Sequence, residues 1–297
     1  MSATVTSGGA VQSATGRSAR GRSDLARRLL GNRLTLAGAC ILLVVAFAAA
    51  FAPYLSPEDP LEMNPTRLLE PPGVAHWLGT DEFGRDILSR VIWGARISLY
   101  VGAISVTIAL LAGVSLGVLG GFAGGVLDDS INRVLDVVFA FPTILLALGI
   151  VGMLGPSLTN TMIAIGIVYT PVYARLARAV TLSVKTRDFV DAARVCGASG
   201  PRLVSHHILP NIAAPLIVQT SLSLSLAILA EASLSFLGLG TQPPDPSWGT
   251  MVNTGQKLVE LSPWPVVFPG LAIILAVLAF NLLGDGLRDA LDPRLRV

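Results

Sequence analysis

The sequence predicts an all-α polytopic membrane protein with six transmembrane helices and both termini in the cytoplasm. Three observations lead there. Of 297 residues, 52% are hydrophobic, 13% are charged, and mean hydropathy is +0.67. A soluble chain carries about 25% charged residues, so this one cannot cover a water-facing surface. Five uncharged runs, 34–57, 97–127, 137–174, 208–230 and 261–284, exceed the roughly 20 apolar residues that cross a bilayer core as a helix. Lys and Arg are also sorted between the loops, most of them on one face. The same composition excludes intrinsic disorder. With only Cys40 and Cys196, a disulfide scaffold is excluded too. A net charge of +2 is too small to suggest nucleic acid. A membrane β-barrel needs ten-residue segments of alternating polarity, and these runs are apolar on every face.

The elements follow in order. Residues 1–33 form a basic, Arg- and Ser-rich stretch expected to be a disordered cytoplasmic tail. Its Arg-rich, apolar, then small-residue order (ending Ala48-Ala49-Ala50) resembles a cleaved signal peptide, and its acid-poor start a transit peptide. The apolar stretch outruns the usual 7–15-residue h-region, so it is expected to stay as the first span, 34–53. Residues 54–96 are extracytoplasmic. The prolines from the end of the first span onward (Pro53, Pro57, Pro60, Pro65, Pro71, Pro72) predict extended or turned chain over the start of 53–96. Ile87, Leu88, Val91, Ile92 and Ala95, beside Arg85, Arg90 and Arg96, then predict a helix lying at the outer interface. Residues 97–286 hold five further spans. The second is 97–121. The 38-residue run 137–174 would reach about 57 Å as one helix and must fold back. Gly155-Pro156-Ser157 is its turn, which separates spans 134–154 and 158–176. Spans 211–238 and 265–286 complete the set, and 287–297 is a cytoplasmic tail. Six spans place Arg17, Arg20, Arg22, Arg27, Arg28, Arg33, Arg133, Arg175, Arg178, Lys185, Arg187, Arg194, Arg202, Arg288, Arg294 and Arg296 on one face. Arg67, Arg85, Arg90, Arg96 and Lys257 fall on the other. The first face is cytoplasmic by the positive-inside rule. Cys40 then lies in lipid and Cys196 in cytoplasm, as unpaired thiols.

The loop 177–210 is the most informative stretch. Residues 188–196 predict a short helix with Asp188 and Asp191 in its first turns, Arg194 near its end, and Gly197 as a left-handed stop. Phe189, Ala192, Ala193 and Cys196 fall on one apolar stripe. That stripe either rests on the membrane or on the chain's own spans, or it meets a soluble partner. Within spans, Gly113, Gly117 and Gly121 repeat at the spacing of close helix packing, either inside the chain or against another subunit. Glu231 is the one carboxyl well inside a span. It is expected to be protonated, hydrogen-bonded or facing water, with packing and pathway roles both open. Trp77, Trp93, Trp248 and Trp264 lie on the outer side and read as interface anchors. No G-x-x-x-x-G-K-[ST] run occurs, and Gly120–Gly125 lacks the Lys, so the chain cannot bind ATP through a phosphate loop. His206-His207 do not have zinc-protease spacing, and no Gly-x-Ser-x-Gly elbow exists. No catalytic, cofactor or metal residue is expected.

Asp191-Ala192-Ala193, Gly197 and Ile208-Leu209-Pro210 resemble the E-A-A-x3-G-x9-I-x-L-P loop of binding-protein-dependent ABC importer permeases. Asp replaces Glu, the gap after Gly197 is one residue longer, and Ile directly precedes Leu-Pro. The stretches 78–90 with 94–99, 231–240 with 243–249, and 281–289 with 292–294 resemble the second, C-type permease of the dipeptide/oligopeptide/nickel subfamily. The resemblance implies a type I permease domain over 97–286 and a heterodimeric pathway with a second homologous permease. It also implies two ABC ATPase subunits carrying ATP and Mg, an extracytoplasmic substrate-binding protein, and a bacterial plasma (inner) membrane. Phe189, Asp191, Ala192, Ala193, Cys196, Gly197 and Pro210 would be the ATPase-coupling residues, with Pro210 opening the fifth span. The implied function is import of short peptides, with nickel chelates or another small solute as the alternative. A self-contained secondary transporter would show internal repeats and broken mid-membrane helices; no repeat is evident. An intramembrane enzyme would need paired polar groups at depth, and only Glu231 qualifies.

Overall fold

A computed structural model describes residues 31–291. Residues 1–30 of the expected basic tail and residues 292–297 therefore lie outside the described residues, while Arg33, the last residue of that expected tail, already opens a helix capped by Asn32. Among those described, every element is helical, apart from one isolated bridge between Thr80 and Asp86. The helices are α1 (Arg33–Ala50), α2 (Ala52–Leu55), α3 (Ile87–Ala123), α4 (Gly125–Phe139), α5 (Thr143–Leu154) and α6 (Leu158–Val184). They continue with α7 (Asp188–Val195), α8 (Gly200–Leu203), α9 (Leu209–Phe236), α10 (Trp248–Gln256) and α11 (Trp264–Leu291). Five helical stretches are long and apolar enough to cross a bilayer, and the bent pair α4–α5 makes a sixth.

The bundle core is the pair α3 and α6, with α9 closing over it. Gly113 and Gly117 let the two backbones touch. A Cβ on Gly113 would meet the Thr170 carbonyl oxygen at 2.5 Å and Tyr173 Cβ at 2.6 Å, and one on Gly117 would strike Ala174. The glycine stripe therefore packs within the chain. On the other side, α1 and α11 cross at Gly38, where Leu282 and the Ala279 carbonyl leave no room for a side chain.

Four sequence expectations change. The third span is not straight: α4 and α5 meet at 90° around Ala140–Pro142, because Pro142 cannot donate to the helix and disfavours helical geometry at Phe141. The expected interfacial helix at 87–95 is instead the start of the 37-residue α3. Its Arg90 is buried, not at the water interface, since Asp81 (3.4 Å) and the Pro60 carbonyl (2.9 Å) compensate it. Pro53 lies in the short helix α2, where it occupies a first-turn position that tolerates proline. At the other end, α11 runs on as helix through residues 287–291, past the expected end of the last span at 286. The turn at 155–157 forms as expected: Gly155 adopts φ 91°, and the Ser157 hydroxyl caps α6 through the Asn160 N–H at 3.1 Å.

Candidate functional site: the cytoplasmic loop and the outer bundle end

α6 runs through Lys185 and Arg187 into α7. Asp188 and Asp191 occupy the first turn of α7, where the helix dipole favours negative charge. Arg194 Nη1 donates to Asp191 Oδ1 at 2.9 Å. Gly197 (φ 85°) ends the helix: its N–H donates to the Arg194 carbonyl and the Ala198 N–H to the Ala193 carbonyl, each at 3.0 Å. This is the paired 6→1 and 5→2 bonding of a Schellman stop, the left-handed position expected from the sequence.

The predicted stripe divides. Val190, absent from it, is fully buried in a cluster with Val118, Ala177, Val184, Leu203, Ile208 and Ile212; Ala193 packs at its edge. Val190 and Ala193 share a face at i, i+3, and that face belongs to the chain's own bundle. Ala192 and Cys196 point outward, with Phe189 42% exposed and Val195 88% exposed. The Phe189 ring lies 6.1 Å from that of His207. Pro210 does not start a span. The helical path is continuous from Gly200 to Phe236 and widens into a π turn over Val204–Ile208. The wider turn accommodates a proline whose ring would otherwise meet the carbonyl four residues back.

The joint between α6 and α7 is tied to the bundle by polar contacts. Lys185 Nζ donates to the Gly121 carbonyl at 2.7 Å, at the C-terminal end of α3. Arg178 Nε and Nη2 donate to the two carboxylate oxygens of Asp128 in α4, both at 2.6 Å. Arg175 Nη2 donates to Asp136 Oδ1 at 2.7 Å, and its guanidinium lies 4.0 Å over the Phe139 ring. None of these pairings was read from the sequence. The available signal was the charge of Asp128, Asp136, Arg175 and Arg178 within or beside apolar runs, which calls for compensation.

At the outer end, Glu231 is fully buried. Ser98 Oγ in α3 donates to its Oε2 at 2.9 Å, and Ser235 Oγ donates to its Oε1 at 2.7 Å; Ser235 Oγ in turn accepts the Thr241 N–H at 3.2 Å. The carboxyl thus joins α9 to α3 by hydrogen bonds. Trp248 is not an interface anchor but a buried wedge: its indole N–H donates to the Val91 carbonyl at 2.9 Å, and its ring lies against Gly94. Before α3, the extracytoplasmic segment builds a compact polar network. Arg85 Nε donates to Asp81 Oδ2 at 2.7 Å, and buried His76 Nδ1 lies 3.1 Å from Asp86 Oδ1. Asp86 also caps α3 through the Ser89 N–H at 2.7 Å.

Comparison with known proteins places this arrangement. Residues 109–297 match the family model described as binding-protein-dependent transport system inner membrane component. Residues 22–72 match the N-terminal TM domain of oligopeptide transport permease C. The chain is 47% identical to the dipeptide transport system permease protein DppC of Alkalihalophilus pseudofirmus, over 91% of this chain and 89% of that one. It is 51% identical to the di/tripeptide transport system permease protein DppC of Pseudomonas aeruginosa, over 89% of each. It is also 44% identical to the glutathione transport system permease protein GsiD of Pectobacterium atrosepticum, over 91% and 90%. In fold it is similar to a chain of the MetNI methionine ABC transporter in an inward-facing conformation. The TM-score is 0.57 at 16% identity, covering 69% of this chain and 98% of that one. An all-helical bundle of this permease fold, with the family model spanning most of its length, has one reading: the chain belongs to the binding-protein-dependent transport system inner membrane components, as a multi-pass ABC permease of the bacterial inner membrane.

Proposed function

We propose that this chain is one of two homologous permease subunits forming the pathway for short peptides. In this reading a substrate-binding protein delivers the peptide from outside, and two ATPase subunits holding ATP and Mg drive transport from the cytoplasm. The chain itself hydrolyses nothing. The peptide cargo is supported by the relatives, whose names cover dipeptides, di- and tripeptides and glutathione. α7 is the coupling helix. One observation carries this: α7 is seated on the bundle through Val190 while Phe189, Ala192, Val195 and Cys196 are left outward on the cytoplasmic side. A helix held from behind, with apolar residues in front, suits a shallow groove on a soluble partner. ATPase closure would draw two such helices together and shift the bundle between inward- and outward-open states.

The test is a cysteine at Ala192 in a chain carrying Cys40→Ser and Cys196→Ser, cross-linked to the ATPase subunits of the assembled complex. Ala193 is the poorer position, because it faces the bundle. An adduct is expected, and its absence from a complex known to be assembled refutes the docking role. Uphill uptake of a labelled dipeptide, dependent on ATP and binding protein, tests the cargo. Uptake of a nickel chelate with no competition by dipeptides would replace it.

A further inference from the structure

α4 has little apolar purchase on the bundle. Of its 15 residues only Asp128 and Leu135 are buried, while Val126, Val134 and Val137 are exposed. Its hold is therefore polar. Asp128 is seated against Gly120 of α3, where a Cβ would come within 2.9 Å of its Oδ1. It accepts from Asn132 Nδ2 at 2.8 Å and takes both donors of Arg178 at 2.6 Å. Two-pronged guanidinium–carboxylate pairing fixes direction as well as distance. Arg175–Asp136, one turn earlier on α6, is exposed on both sides and adds little by itself. Arg178 stands on the last two turns of α6, the helix that runs directly into α7. α4 leads in the other direction to the 90° bend where α5 begins.

We infer that Arg178 and Asp128 are positioning residues for transport: their paired hydrogen bonds make α4 follow the α6–α7 joint, and so carry a displacement of α7 to the bend between α4 and α5. This rests on the docking role proposed for α7. Neither residue touches the exposed face of α7, so breaking the pair uncouples the bend from the ATPase without removing the ATPase from its seat.

The experiment uses the complete transporter in proteoliposomes and reads dipeptide uptake, ATP hydrolysis and the Ala192→Cys adduct together. Arg178→Asp or Asp128→Arg alone is expected to lower uptake about tenfold while hydrolysis stays within about twofold; the double exchange is expected to recover uptake to within about threefold, as coupled neighbours do. Full uptake in either single exchange, or no recovery in the double exchange while the adduct persists, overturns the inference. Where a charge exchange prevents insertion, Asp128→Asn carries the test. About a threefold fall in peptide moved per ATP is expected of an uncoupled pair, and an unchanged ratio overturns it. An adduct missing from the otherwise unaltered chain refutes the docking of α7 instead, whatever uptake the exchanges show.

Discussion

Gly113→Ala should destabilise the protein although alanine is the better helix former. In an exposed helix the change gains about 1 kcal/mol. At position 113 the added methyl would stand 2.5 Å from the Thr170 carbonyl oxygen and 2.6 Å from Tyr173 Cβ. Ordinary heavy-atom contact is about 3.5–4.0 Å, so α3 and α6 must part by about 1 Å. Backbone cannot step aside as a side-chain tip does, and overpacking of this kind costs about 1–3 kcal/mol. A gap of that width also forfeits about a quarter to a half of each dispersion contact along the seam. Deducting the propensity gain leaves a loss of about 0–2 kcal/mol, which the lost dispersion contacts push toward its upper end. Gly270 in α11 has nothing within 4 Å of its added Cβ, so Gly270→Ala should be neutral or stabilising. Melting of the purified complex, followed by intrinsic fluorescence in mild detergent, compares the two. Equal melting temperatures for both variants, or a rise for Gly113→Ala, would refute the claim that these glycines are a contact face between α3 and α6.

Other residues give sharper signs than magnitudes. Glu231→Gln keeps the shape of the Ser98–Glu231–Ser235 bridge, so assembly should be intact and uptake within about tenfold; dead transport in a normally assembled complex would argue for a pathway role instead. Val190→Asp puts an unpaired charge in the cluster beneath α7, so complex yield and uptake should both collapse. Val195→Asp, at an exposed position, should leave the isolated chain as stable as before and weaken only ATPase association, measured by co-purification. Trp248→Phe keeps the wedge and loses the indole donor to the Val91 carbonyl, costing about 1 kcal/mol, whereas Trp248→Ala should cost about 3–5 kcal/mol; equal melting of the two would deny the wedge.

Much of the candidate site was legible because its signals are local. The stop at Gly197, the acidic first turn of α7 and the fold-back at Gly155-Pro156-Ser157 each depend on residues within a few positions of one another. Arg178–Asp128, Glu231–Ser98 and Trp248–Val91 were not legible, since their partners lie 50, 133 and 157 residues apart. A charge or an indole in an apolar run states that it needs a partner, not where the partner is.

The sequence by itself determined how many times the chain crosses the membrane, which face is cytoplasmic, and where α7 begins and ends. Those follow from apolar length, the sorting of Lys and Arg, and short-range backbone chemistry, all of which act along the chain. Only the tertiary structure decided that Val190 faces the bundle and Val195 faces out, that the third span bends at Pro142, and that Trp248 and Arg90 are buried. In a helix apolar on every side, periodicity carries no inside and outside. Which face is buried is set by where another backbone can come close, and by which buried donor finds an acceptor.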